Sequence, residues 1–111
     1  MTKEGWFSYT ILEQMSNIGA DVKHFIDART NYRNGTVPED HSDFYYGKVM
    51  EYIDIIKEDP KNRGRIPELE DCKKEMELLR AGVFSDDYVM HYWDQYTAAC
   101  AFRPQRQNIP G

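Results

Sequence analysis

"TILEQMSNIGADVKHFI", residues 10–26, decides the fold. Ile11, Met15, Ile18, Val22 and Phe25 recur at alternating steps of four and three, with Ile26 widening the stripe. That is the period of an α-helix with one buried face, and it excludes the alternation of a strand. Thr10 with Glu13 three residues on forms the pattern of a capping box, in which each side chain satisfies an amide that the first turn leaves unpaired. "NYRNG", residues 31–35, ends the helix, because Gly35 can take the positive φ that closes one. Gly19 falls about 60° from the centre of the apolar face at 100° per residue, where a missing side chain lets a neighbouring backbone approach.

The same signals recur downstream. "TVPEDHS", residues 36–42, leads with Asp40 or Ser42 as cap into a periodic run through Tyr45, Val49, Tyr52, Ile53 and Ile56. Pro60 forces Asp59 out of helical geometry and ends it. Pro67 suits the first position of the next helix, where its missing N–H has no partner to lose. Ile66, Leu69, Cys72, Met76, Leu79 and Val83 mark that helix's seam, and Gly82 closes it. Ser85 caps a last helix whose face is Val89, Tyr92, Trp93, Tyr96, Ala99 and Cys100, with Pro104 as its stop. The spacing predicts helices over about 10–33, 42–58, 67–81 and 86–103, with a flexible tail 104–111. A single domain spanning 1–111 is expected, an all-α, antiparallel up-down-up-down four-helix bundle.

Composition narrows the function. With 41% hydrophobic and 30% charged residues, the 111-residue chain is too apolar for disorder and too mixed for a membrane protein. A formal charge of −5 disfavours nucleic acid and anionic membranes as partners, since both demand a continuous basic face. "MTKEGWFSYT" has no apolar run of the length a secretory signal requires, so a cytoplasmic location is the default expectation. Cys72 and Cys100 lie in apolar helical patterns without a C-x-x-C or Cys/His pairing, and read as buried free thiols.

Catalytic and metal chemistry find little support. Asp21-x-x-His24 and His91-x-x-Asp94 have the spacing of bundle metal ligands, but His24 and Asp94 each point about 160° from the centre of their helix's apolar face. Glu51-x-x-Asp54, with Asp40-x-x-Asp43 upstream, is similar to the acidic motifs of all-helical nucleotide pyrophosphatases, which gather magnesium on substrate phosphates. Those enzymes draw on two helices, whereas these acids lie on or beside one, so a solvated face is the better reading. No Gly-rich phosphate loop and no activated serine or cysteine is present. No catalytic residue, metal or cofactor is expected.

Two features remain. "KEDPKNRGRIPELE", residues 57–70, puts Lys61, Arg63 and Arg65 near the start of the third helix, where free amides favour an anion, so a small anion- or nucleotide-binding protein is the alternative expectation; Arg103 is a further candidate. Against this, Glu68, Glu70 and Asp71 already complement that helix terminus and would repel an incoming anion. A sharp corner is the simpler role. The second feature is apolar surplus: Phe44, Tyr45 and Ile55 on the second helix, and Tyr88, Met90 and Phe102 on the fourth, extend beyond the face one bundle can bury. These residues are the expected interface of a homodimer, or of a docked protein partner.

"LEQMSNIGADVKHFI", "DPKNRGRIPEL" and "YTAACAFR" resemble stretches of small uncharacterised bacterial helical proteins with an Asn-Ile-Gly helix and a DPKNRGR corner. Asn17, Ile18, Gly19, Lys61, Asn62, Arg63 and Gly64 carry the resemblance. It implies a bacterial helical domain and brings no activity with it.

Overall fold

The computed structural model describes residues 2–101. Those residues form five α-helices and one 3-10 helix, with no strand among them. The α-helices are α1 (Lys3–Phe7), α2 (Ile11–Arg33), α3 (Ser42–Lys57), α4 (Ile66–Arg80) and α5 (Asp86–Ala101); the 3-10 helix, Pro60–Arg65, joins α3 to α4. The expected all-helical character holds, with each long helix within a residue or so of its expected start. The last helix's expected end at 103 and the tail 104–111 lie outside the described residues.

Local chemistry sets most of the boundaries. Thr10 Oγ1 accepts from the Glu13 amide at 3.2 Å while Glu13 Oε1 accepts from the Thr10 amide at 2.9 Å, completing the capping box. Both α2 and α4 end in the two-bond motif that a left-handed residue allows. Gly35 at φ +74° and Gly82 at φ +79° are those residues. The amides of Thr36 and Val83 reach back to the carbonyls of Asn31 and Leu78, each at 2.9 Å. Asp40 Oδ1 accepts from the Ser42 amide at 2.9 Å, and Ser85 Oγ from the Tyr88 amide at 3.1 Å. Asp59 is extended, at φ −70° and ψ 120°, as the following proline requires.

The core is the set of stripes: Met15, Ile18, Val22 and Phe25 from α2, Val49, Ile53 and Ile56 from α3, Leu69, Cys72, Met76 and Leu79 from α4, and Val89, Trp93 and Tyr96 from α5. α2 is the central element, packed along both α3 and α5, while α4 leans mainly on α3 and meets α5 over a shorter seam. At Gly19 the two helices α2 and α5 pack tightly. A Cβ there would lie 3.3 Å from Trp93 Cβ and 3.7 Å from the Trp93 carbonyl oxygen.

Two expectations need correction. Four helices omit α1, which Thr2 starts by accepting the Gly5 amide at 3.0 Å and which buries Trp6 against Tyr52, ring centroids 4.8 Å apart. Five residues are too few to display a helical period. Val83 does not continue the α4 seam, because Gly82 turns the chain first and leaves Val83 exposed.

Candidate functional site

The Asp59-Pro60-Lys61-Asn62 corner is built around a buried glutamine. Gln14, on the α2 stripe, donates through Nε2 to the Trp6 carbonyl at 2.8 Å and to Asp59 Oδ2 at 2.9 Å. Its Oε1 accepts from Asn62 Nδ2 at 2.8 Å, and the same Asn62 nitrogen donates to the Ile56 carbonyl at 2.9 Å. Lys61 closes the knot, its Nζ donating to the Phe7 carbonyl at 2.8 Å and pairing with Asp59. Burial pushes the Asp59 carboxyl up, but the hydrogen bonds from Lys61 and Gln14 outweigh it and hold the group below its ordinary value.

The three basic residues proposed for an anion therefore have different settings. Lys61 is turned onto Asp59 and the α1 backbone. Arg65 Nη1 donates to Glu68 Oε1 at 2.8 Å; burial works against its charge, and Glu68 with the Tyr96 hydroxyl overcomes that. Arg63 is exposed with no ion pair among the described residues. Arg103 lies outside them.

The acids and histidines of the sequence are dispersed. Asp54 pairs with Lys73 at 2.7 Å, and Asp43 with Arg80 at 3.0 Å. Glu51 is exposed, and His24 lies exposed against the Tyr45 ring with centroids 5.3 Å apart. Among the described residues no three His, Cys, Asp or Glu side chains gather to hold a metal ion. Cys72 is buried and donates to the Tyr92 hydroxyl at 3.4 Å; burial pushes its thiol up to about 11 against that hydrogen bond. Cys100 is half-buried and donates to the Leu12 carbonyl at 3.4 Å.

The apolar surplus is concentrated at one end. There Arg29, buried on the α2 stripe, donates to the Leu79 carbonyl at 3.0 Å and to Asp86 at 2.9 Å, tying the end of α2 to the α4–α5 turn. The Asp43–Arg80 pair ties the first turn of α3 to the last of α4. Tyr32 (46% exposed), Phe44 (60%), Val83 (65%) and Tyr88 (60%) are the large apolar side chains exposed among the described residues, and all four belong to these helix ends. Of the expected interface residues, Phe44 and Tyr88 are thus exposed, Tyr45, Ile55 and Met90 are half-buried against the core, and Phe102 lies outside the described residues. Tyr32 and Val83 are additions. Val83 was hidden by its fit to the α4 repeat, and Tyr32 by its place in the stop signal "NYRNG".

Comparison with protein-family models, with curated proteins and with solved structures finds no match to this chain. Its function has to be argued from its own residues.

Proposed function

We propose that this chain is a non-enzymatic helical interaction module that pairs with a second copy of itself through the apolar end marked by Arg29. One observation carries the reading: Tyr32, Phe44, Val83 and Tyr88, from four different segments, are exposed at the same end. Three aromatic rings near half exposure and a valine amount to roughly 400 Å² of apolar surface, enough for the centre of a modest interface. The charges around them are mixed, Arg33 and Arg80 with Asp43, Asp86 and Asp87, so a two-fold copy does not meet a rim of its own sign.

The bundle itself belongs to this proposal. Arg29–Asp86 and Asp43–Arg80 join the end of α2 and the start of α3 to the α4–α5 turn, while Gln14–Asp59 and Cys100–Leu12 link the opposite termini. Those links support antiparallel packing of α2 to α5, up-down-up-down, with α1 as an extra lid. No helix among the described residues is long and apolar enough to cross a membrane. A cytoplasmic setting fits the two free thiols. The anion reading of the DPKNRGR loop has less behind it, because Lys61 and Arg65 already have carboxylate partners.

Sedimentation velocity from a few to a few hundred micromolar tests self-association. A concentration-dependent shift to a dimer is expected, abolished by Phe44→Glu with Tyr88→Glu. A monomer throughout that range overturns the reading.

A further inference from the structure

Between α4 and α5 lies a cleft of about 540 Å³, lined by Glu75 from α4 and by Asp87, Tyr88, His91, Tyr92 and Gln95 from α5. It exists because α4 leans on α3 while α5 leans on α2, so their own seam is short. The size is that of a small-ligand site. Tyr92 is fixed by its hydroxyl, which accepts from Cys72 and shares a hydrogen bond with Tyr96 at 3.1 Å. Burial of that hydroxyl first, then these two partners, push its pKa far up, so it stays neutral.

The charge in the cleft is negative and uncompensated. Neither Glu75 nor Asp87 forms an ion pair among the described residues. Of the cations on α4 and at its start, Lys73 pairs with Asp54, Arg80 with Asp43 and Arg65 with Glu68, while Lys74 is exposed and forms no ion pair among the described residues. Partial burial, and then the like charge of Asp71, raise the Glu75 carboxyl above its ordinary value, so its charge is held there at a cost.

We propose that the cleft binds a guanidinium, the side chain of an arginine presented by a peptide, between the carboxylates of Glu75 and Asp87 and against the rings of Tyr88 and Tyr92. A guanidinium is flat and weakly hydrated, stacks on aromatic faces and offers a fork of donors to carboxylates on either side. An anion would be repelled by the two acids. This site does not rest on the self-association reading, although Asp87 and Tyr88 are shared with the apolar end.

The test is an amide NMR titration of the full chain with an acetyl-Gly-Arg-Gly-amide peptide, beside its citrulline and lysine counterparts. Saturable shifts centred on Glu75, Asp87, Tyr88, His91, Tyr92 and Gln95 are expected, with Kd about ten-fold weaker for citrulline, which keeps the shape and loses the charge. Glu75→Gln with Asp87→Asn should weaken the arginine peptide by about ten-fold, with helicity unchanged by circular dichroism. Tyr88→Leu, which keeps apolar area, should weaken it about three- to five-fold. Absence of saturation at tens of millimolar, equal shifts from citrulline, or undiminished binding by the double variant overturns the proposal. Lysine binding as tight as arginine overturns the guanidinium assignment. Because Tyr88 belongs to both surfaces, the titration is read at a chain concentration at which sedimentation shows a monomer, so that failure to bind arginine and failure to dimerise are distinguished.

Discussion

Arg29 and Asp86 meet at 2.9 Å across 57 residues of chain, with the arginine buried and the aspartate on the first turn of α5. The guanidinium also lies 4.7 Å from the Phe25 ring centroid and donates to the Leu79 carbonyl, so one side chain fastens three helix ends. Arg29→Ala would remove one donor from that carbonyl, which keeps the Gly82 amide at 3.1 Å, would leave Asp86 without its partner and would open the packing over Phe25. A loss of about 2–3 kcal/mol is expected in urea unfolding, and about half as much for Arg29→Lys, whose ammonium cannot reproduce the fork. If Arg29→Ala shifts the midpoint by less than about 0.5 kcal/mol, the fastening role is wrong.

Gly19 and Gly47 make a matched pair of opposite sign. Both are in helix interiors, where alanine is favoured by up to about 1 kcal/mol. At Gly47 nothing lies within 4 Å of an added Cβ, so Gly47→Ala should raise stability by about 0.5–1 kcal/mol. At Gly19 the new methyl meets Trp93 Cβ at 3.3 Å and Cε3 at 3.4 Å, and Trp93 is buried with nowhere to retreat. Gly19→Ala should lower stability by about 1 kcal/mol despite the helical gain. Thermal melts of the two variants against the parent decide this.

The pH dependence has two signs. Asp59 titrates below its unfolded value, so its contribution is complete above about pH 4 and fades as pH falls through the folded value. Asp59→Asn should therefore lose about 1–3 kcal/mol at pH 7 and show a shallower acid limb. Glu75 and Asp21 are raised, chiefly by burial, so each costs stability once ionised and relieves that cost as it protonates. Glu75→Gln should be more stable than the parent at pH 7, with the advantage vanishing at acid pH. Denaturant midpoints from pH 3 to pH 8 provide the comparison.

Cys72 should be chemically silent in the folded protein. Its thiol is buried and pushed up to about 11, leaving a small thiolate fraction at pH 8. Reaction with an aromatic disulfide reagent should proceed at Cys72 only at the rate of global opening, at least ~100-fold slower than in denaturant. Fast labelling of Cys72 in native buffer would show that the α4–α5 seam opens locally.

How much of this was readable from residue order differs from place to place. The capping box at Thr10, the glycine closures at residues 35 and 82 and the stop before Pro60 were legible, because each acts over three to five neighbouring residues. The core stripes were legible for the same reason: a helix brings every third or fourth side chain onto one face, whatever it packs against. Gln14 and Arg29 are polar residues set on the apolar stripe of α2, a signal that was present but pointed to no partner.

Tertiary structure alone supplied the partners. Gln14 meets Asp59 across 45 residues, and that contact, with Lys61 on the α1 carbonyl, makes the basic-looking corner a joint between helices. The exposed end and the α4–α5 cleft arise the same way, from which helices lie side by side and how closely. Local pattern fixes which face of each helix is apolar, since that depends only on the backbone's own period. It cannot fix which charges find each other across a turn of the chain, because that depends on distances which exist only once the helices have packed.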